Sequence, residues 1–277
     1  MPIRITTLSE NTAGLPGLIA EWGLSILVET DNLKILFDTG ASISVPHNAP
    51  ILGLDLSTID NIVLSHGHYD HTGGLKEVLK HVGKPVEIIA HPDIWAQKYR
   101  RGGGGERYIG IPFSMETLEP LATLFALSNK PVWITDDIVT TGEIPMTEEF
   151  EELDANMYIK EGSNWYRDEL LDDRALIIKT SEGLVVILGC AHRGAINTLR
   201  HAQEITGVEL IHTVIGGTHL INASEERVLR TAAALQEMGV QRVGVSHCTG
   251  FTAAALLAQQ LGESFFLNNT GISTGVP

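Results

Sequence analysis

Ser65-His66-Gly67-His68-Tyr69-Asp70-His71-Thr72-Gly73-Gly74 is the stretch on which the fold of this chain turns. Three imidazoles and a carboxylate fall within six residues, directly after the strand-like run Asn61-Ile62-Val63-Leu64. Imidazole and carboxylate suit borderline divalent cations, Zn²⁺ first, with Mn²⁺ and Fe²⁺ as close competitors. In extended backbone successive side chains alternate in direction, so His66 and His68 point the same way and can share one ion. Asp70 and His71 follow where the chain begins to turn, and they can face a second ion. Gly73 and Gly74 let the backbone bend sharply into the helix that Leu75-Lys76-Glu77-Val78-Leu79-Lys80 predicts. A merely polar loop at a strand end has no need of this spacing. The stretch reads as a metal site.

Outward from it, Ile3–Ser9, Leu24–Thr30, Leu33–Asp38 and Asn61–Ser65 read as strands, with Asp31-Asn32 turning between the second and third. Val86–Ala90 follows the helix. From 92 to 171 the pattern loosens into a loop-rich insertion with proline-marked turns. The second half resumes with strands Ala175–Thr180 and Leu184–Leu188 and helix Ala195–Ile205. Strand Leu210–Ile215, helix Glu225–Met238, strand Arg242–Val245 and helix Ala253–Leu261 complete it. No solenoid period is present. The whole chain, 1–277, is expected to form one domain, its 277 residues being enough to bury a substantial core.

A formal charge of −15 argues against general nucleic-acid binding, which wants a basic face. No apolar run reaches membrane-spanning length, and Met1-Pro2-Ile3-Arg4 opens a strand-like segment instead of a signal peptide. A cytoplasmic location is expected, with no membrane partner; a homo-oligomer is left open. The two cysteines, Cys190 and Cys248, are expected to be reduced.

The cluster His66-Gly67-His68-Tyr69-Asp70-His71 is also the His-x-His-x-Asp-His signature of the metallo-β-lactamase superfamily, and the resemblance runs further. Leu33-Lys34-Ile35-Leu36-Phe37-Asp38-Thr39-Gly40 resembles the superfamily strand ending in Asp-x-Gly, whose Asp lies under the site and orients the ligands. Gly189-Cys190-Ala191-His192-Arg193-Gly194 resembles the third motif, and Val245-Ser246-His247-Cys248-Thr249-Gly250 the last. Tyr108-Ile109-Gly110-Ile111-Pro112-Phe113-Ser114, Thr141-Gly142-Glu143-Ile144-Pro145 and Gly216-Gly217-Thr218-His219-Leu220 are similar to one branch. That branch comprises proteins like 7,8-dihydropterin-6-methyl-4-(β-D-ribofuranosyl)aminobenzene-5′-phosphate synthase. Glu10, Asn11 and Glu21 match it too. The resemblance implies an α/β fold, a four-layer αββα sandwich of two sheets with helices outside. Gly67, Gly194 and Gly250 each lie beside a proposed ligand, consistent with loops gathered at one edge.

On that reading one ion takes His66, His68 and His192, and a second takes Asp70, His71 and His247. His192 and His247 each end an apolar strand and have a glycine within three residues. Three protein ligands per ion leave a position for water, as in catalytic zinc. Dinuclear superfamily members bridge their ions with a carboxylate from a Gly-Asp pair, but the matching strand here ends in Gly216-Gly217-Thr218-His219. The second ion is therefore expected to bind more weakly, unless Cys190 or His219 substitutes. Cys190 reads slightly more as a buried small hydrophobe than as a ligand. His219 reads as a site residue, and Asp70, Asp38 and His219 form the catalytic candidates.

The segment Lys98 to Arg107 stands out in so acidic a chain. Arg100, Arg101 and Arg107 around four glycines suggest either a mobile arm folding over a phosphate or a solvated loop. Trp95, Trp133 and Trp165 could stack on a heterocycle, although packing is their default. The favoured function is a metal-dependent hydrolase using one or two Zn²⁺ ions (Mn²⁺ or Fe²⁺ as alternatives) and metal-bound hydroxide on a small anionic, phosphoester-like substrate. A pterin-related transferase or synthase is the second reading, and an iron-dependent oxygen- or sulfur-handling protein the third.

Overall fold

A computed structural model describes residues 3–121 and 124–276. Met1 and Pro2, read as the start of the first strand segment, lie outside the described residues. The first strands are β1 (Ile3–Ser9), β2 (Ser25–Glu29), β3 (Lys34–Phe37), β4 (Asn61–Val63), β5 (Glu87–Ala90), β6 (Lys98–Gly102), β7 (Gly105–Tyr108), β8 (Leu124–Leu127) and β9 (Val132–Trp133). They are followed by β10 (Ile138–Thr140), β11 (Met157–Glu161), β12 (Asn164–Arg167), β13 (Ala175–Thr180), β14 (Gly183–Leu188), β15 (Ile211–Gly216), β16 (Arg242–Val245), β17 (Phe265–Leu267) and β18 (Ser273–Val276). The helices are α1 (Ser44–Ile51), α2 (Tyr69–Thr72), α3 (Leu75–Val82), α4 (Ala195–Thr206), α5 (Glu225–Glu237) and α6 (Phe251–Leu261).

Two seven-stranded sheets form, in the orders β18-β1-β2-β3-β4-β5-β8 and β17-β16-β15-β14-β13-β10-β9. Their strands are apolar on both faces because both faces are covered, and the two-residue period sorts the side chains. Ile26, Val28, Ile35, Phe37, Val63 and Ile89 point inward and meet Leu176, Ile178, Val185 and Ile187 of the other sheet. The intervening Leu27, Leu36, Ile62 and Ile88 point outward onto α1 and α3. On the second sheet Ala175, Ile177, Leu184, Val186 and Leu188 pack under α4, α5 and α6. Each fully buried aliphatic side chain contributes about 1.5–3 kcal/mol. Layering by alternation gives the four-layer αββα sandwich.

The helices obey their own period. α3 buries Leu75, Val78, Leu79 and Val82 on one face and stops at Gly83, whose φ of 64° only glycine adopts cheaply. β3 and β4 run parallel, as do β14, β15 and β16. Their carboxyl ends lead into Asp38, His66, Cys190, Gly217 and His247, which is why distant motifs arrive at one edge.

The region 92–171 departs from the loop-rich expectation. It holds a third sheet of four strands, β12-β11-β6-β7, and contributes β8, β9 and β10 to the sandwich edges. The basic segment is therefore a hairpin, with Tyr99 opposite Tyr108, Arg100 opposite Arg107 and Gly102 opposite Gly105. Side-chain stacking between strands stabilises it: Tyr99 lies against Tyr108 and Trp165, with ring centroids 5.2 and 5.1 Å apart. Charged residues concealed this period in the sequence. Among the described residues no helix is long and apolar enough to cross a membrane.

Candidate metal centre

Six of the sequence-selected side chains converge. His66, His68 and His192 offer ligand atoms within 4.8 Å of one another, and so do Asp70, His71 and His247. All six are buried. Their nitrogens are arranged as an ion would require. The Nε2 atoms of His66 and His192 approach to 3.2 Å, and His68 Nε2, His192 Nδ1 and His247 Nε2 are buried without hydrogen-bond partners. Buried polar atoms seldom go unpaired, because each costs on the order of 1–3 kcal/mol. Burial also pushes the imidazoles of His66 and His192 well below their ordinary pKa and that of His68 down to about 3, keeping them neutral. Neutral imidazole with a free lone pair is the metal-binding form. The residues fit a divalent ion.

Asp38 organises the floor of the site. Its carboxylate accepts from the Ser65 amide at 2.7 Å, from Ser65 Oγ at 2.7 Å and from His71 Nδ1 at 2.6 Å. Ser65 Oγ also lies 2.8 Å from His66 Nδ1; since it donates to Asp38, it accepts the imidazole proton. Both histidines thereby turn Nε2 toward the site, as carboxylate–histidine–metal arrangements do. Burial opposes charge on His71, but the Asp38 carboxylate outweighs it and raises the imidazole to about 9. Asp38 itself is fully buried and absent from the cleft lining.

The second set has partners the sequence concealed. Trp22 Nε1 donates to Asp70 Oδ2 at 3.0 Å, and His247 Nε2 lies 3.4 Å from the same oxygen. Burial works against the Asp70 carboxylate, but His247 and His71 beside it hold it below the usual carboxylate range. Asn11 Oδ1 meets His247 Nδ1 at 3.0 Å, and Glu10 Oε1 accepts the His247 amide at 2.8 Å. Glu10 and Asn11 match the branch in sequence, but they come from a loop 236 positions from His247 in the case of Asn11, so no local pattern could place them against it. Glu21 accepts the amides of Ala41 and Ser42 at 2.9 and 3.0 Å, fixing the loop after Asp38.

Lys98 behaves unlike the arginines near it in sequence. It is buried, bonds Asp168 Oδ2 at 2.8 Å and Asp172 Oδ1 at 2.9 Å, and Asp172 Oδ2 accepts the Gly67 amide at 2.8 Å. The hairpin is thus anchored to the metal loop through one buried carboxylate.

The cleft above the cluster has a volume of about 380 Å³ and is lined by His68, Asp70, His192, His219 and His247 together with Arg100 and Arg107. Arg101 is not there: strand alternation turns it to the opposite face, 4.3 Å over the Trp165 ring and 5.3 Å from Tyr158. Trp165, Trp95 and Trp133 do not line the cleft, whereas Trp22 does. Trp95 packs on Phe113 and Phe125. His219 stands on the cleft wall, its ring centroid 4.1 Å from that of His192. Cys190 and Cys248 are both free thiols and both reach the cleft.

Comparison with known proteins agrees with this arrangement. The 7,8-dihydropterin-6-methyl-4-(β-D-ribofuranosyl)-aminobenzene-5′-phosphate synthase of Methanocaldococcus jannaschii is 34% identical over 278 residues, covering 95% of this chain and 93% of that one. An uncharacterised protein of the same organism is 34% identical over 98% of this chain and 100% of its own. The crystal structure of a metal-dependent hydrolase of the β-lactamase superfamily superposes with a TM-score of 0.85 at 29% identity, over 98% of each chain. The metallo-β-lactamase superfamily model matches residues 23–192, and this chain belongs to that superfamily of metal-dependent hydrolases, in the branch that includes the M. jannaschii synthase.

Proposed function

We propose that the protein is a metal-dependent hydrolase of a small phosphorylated substrate. One ion is held by His66, His68 and His192, and a second by Asp70, His71 and His247. One observation carries the reading: a single cleft is lined by convergent candidate ligands and by Arg100 and Arg107, the Arg100 guanidinium lying 3.4 Å from Asp154 Oδ2. When bound, a divalent pair supplies an acidified water and neutralises anionic charge. The protein's own residues do the rest. Arg100 and Arg107, opposite one another across the hairpin, bind phosphate oxygens by charge-assisted hydrogen bonds. Trp22 fixes the rotamer of Asp70. His219 on the cleft wall is assigned the proton delivered to the leaving oxygen.

A second reading is favoured by a specific observation, the 34% identity to the synthase across nearly the full length of both chains. In it the same arginines hold the phosphate of an aminobenzene riboside, whose amine nitrogen displaces a leaving group from the 6-methylene carbon of a dihydropterin and gives up its proton to solvent. Protein whose zinc content has been measured should be assayed against nitrophenyl phosphodiesters and, separately, against a 6-hydroxymethyl-dihydropterin diphosphate, whose leaving group is diphosphate, together with a phosphorylated aminobenzene riboside. Zinc-dependent nitrophenolate release supports hydrolysis. Condensation without any ester hydrolysis would replace the first reading by the second.

A further inference from the structure

The carboxylate that bridges two ions elsewhere in the superfamily has no counterpart at Gly216-Gly217, and the structure shows why none would fit there. A Cβ added at Gly217 would lie 2.5 Å from Cys248 Sγ and 2.6 Å from Gly189 O, and one at Gly216 2.1 Å from Leu188 O. Sulfur and strand backbone already occupy the space. One sulfur lies among four of the six candidate ligands, His66, His71, His192 and His247. Cys190 shares a ligand-distance group with His66 and His71, another with His192 and His219, and a third with His247 and Cys248. Within each group all ligand atoms lie within 4.8 Å of one another. An ion bonded to sulfur at ~2.3 Å and nitrogen at ~2.0–2.1 Å holds those atoms at most about 4.4 Å apart. His71 Nε2 stands 3.1 Å from Cys190 Sγ, well within that limit. His192 and His247, which share groups with Cys190, each carry a buried ring nitrogen with no partner. The backbone also directs these groups together: Ala191 has a φ of 51°, a left-handed kink between Cys190 and His192 that is costly for a residue with a Cβ.

We infer that the Cys190 thiolate is a ligand shared by the two ions, taking the place of the absent carboxylate. The inference rests on the metal reading above. Cys248 does not share the role. Its Sγ accepts the His219 amide at 3.3 Å and faces Cys190 O at 3.5 Å, so it braces the strand ends. A sulfur ligand has a consequence for selectivity, since thiolate favours zinc, cobalt or iron over manganese.

Cobalt(II) distinguishes the two layers of the argument. Apo-protein titrated with Co²⁺ should develop visible d–d bands, which report any bound ion, and a near-ultraviolet sulfur-to-cobalt charge-transfer band, which reports thiolate alone. In Cys190→Ser the charge-transfer band should vanish and tightly bound cobalt should fall from two ions per chain to one. In Cys248→Ser the band should persist. Cys190→Asp should regain the second ion without the band and bind Mn²⁺ at least tenfold more tightly than the parent; its recovery also shows that the site still folds. Visible bands without a charge-transfer band in the parent protein would overturn the shared thiolate and leave the metal site standing. A band lost in Cys248→Ser but kept in Cys190→Ser would overturn it equally. No cobalt bound at all would remove both.

Discussion

Gly67→Ala tests how tightly the metal loop is held, and its cost can be worked from distances. A Cβ at Gly67 would lie 2.3 Å from Ile94 O, 3.1 Å from Ile94 C and 3.3 Å from Lys98 Cε. The first two atoms are backbone and cannot rotate aside. An ordinary contact needs roughly 3.4 Å, so either the loop or the Ile94 turn must move by about 1 Å, where metal sites tolerate about 0.2 Å. Gly67 lies between His66 and His68, and its amide donates to Asp172 at 2.8 Å, so that shift falls on two ligands and one anchor together. Overpacking of this kind costs about 1–3 kcal/mol of stability. A displacement of about 1 Å in a catalytic constellation costs on the order of 10²-fold in rate. Thermal unfolding of the apo-protein and zinc affinity by chelator competition measure the two effects separately. The control is Gly103→Ala at the hairpin tip, where a Cβ meets nothing within 4 Å and no change beyond a few tenths of a kcal/mol is expected. If Gly67→Ala matched Gly103→Ala in both measurements, the close packing of the metal loop against Ile94 would be refuted.

Other expected outcomes follow from the same geometry. Asp38→Asn cannot accept all three of its hydrogen bonds and should weaken zinc binding by about 10–100-fold, read by the same competition assay, while the far-ultraviolet spectrum stays native. In the apo-protein the His71 imidazole is raised to about 9 from its ordinary 6.5, so its pairing with Asp38 contributes fully below pH 6.5 and is lost as pH rises through 9. The apo melting temperature should therefore fall over that range, and in Asp38→Asn that fall should be smaller. Lys98→Met strands two buried carboxylates and should cost about 3–5 kcal/mol in urea unfolding, more than an exposed lysine substitution would. Arg107→Ala should raise KM for a phosphorylated substrate several-fold with metal content unchanged, whereas Arg101→Ala, on the far face of the hairpin, should leave KM alone.

The sequence by itself placed the ligand-bearing loops and most flanking strands, and its resemblance to the superfamily implied the sandwich. Residues 61–72 carry ligand types at a spacing that only a metal explains. The short apolar-rich segments Ala175–Thr180 and Arg242–Val245, bounded by turn signals, placed those strands with the bounds they have. Such features are local: side-chain alternation and turn chemistry are properties of a few neighbouring residues. What the tertiary structure alone decided is everything that depends on pairing across long separations. Arg100 and Arg101 are adjacent in sequence and chemically identical; alternation puts them on opposite faces of β6, and only the packing of that sheet decides that Arg100 meets the cleft and Arg101 the Trp165 ring. Lys98 reads as one more cation of a basic run until Asp168 and Asp172, 70 and 74 residues on, enclose it. Trp22, Glu10 and Asn11 become neighbours of Asp70 and His247 because β1, β2 and the end of β16 meet at one edge. The space beside Cys190 is set by three strand ends at once, and no single one of them carries that information in its own residues.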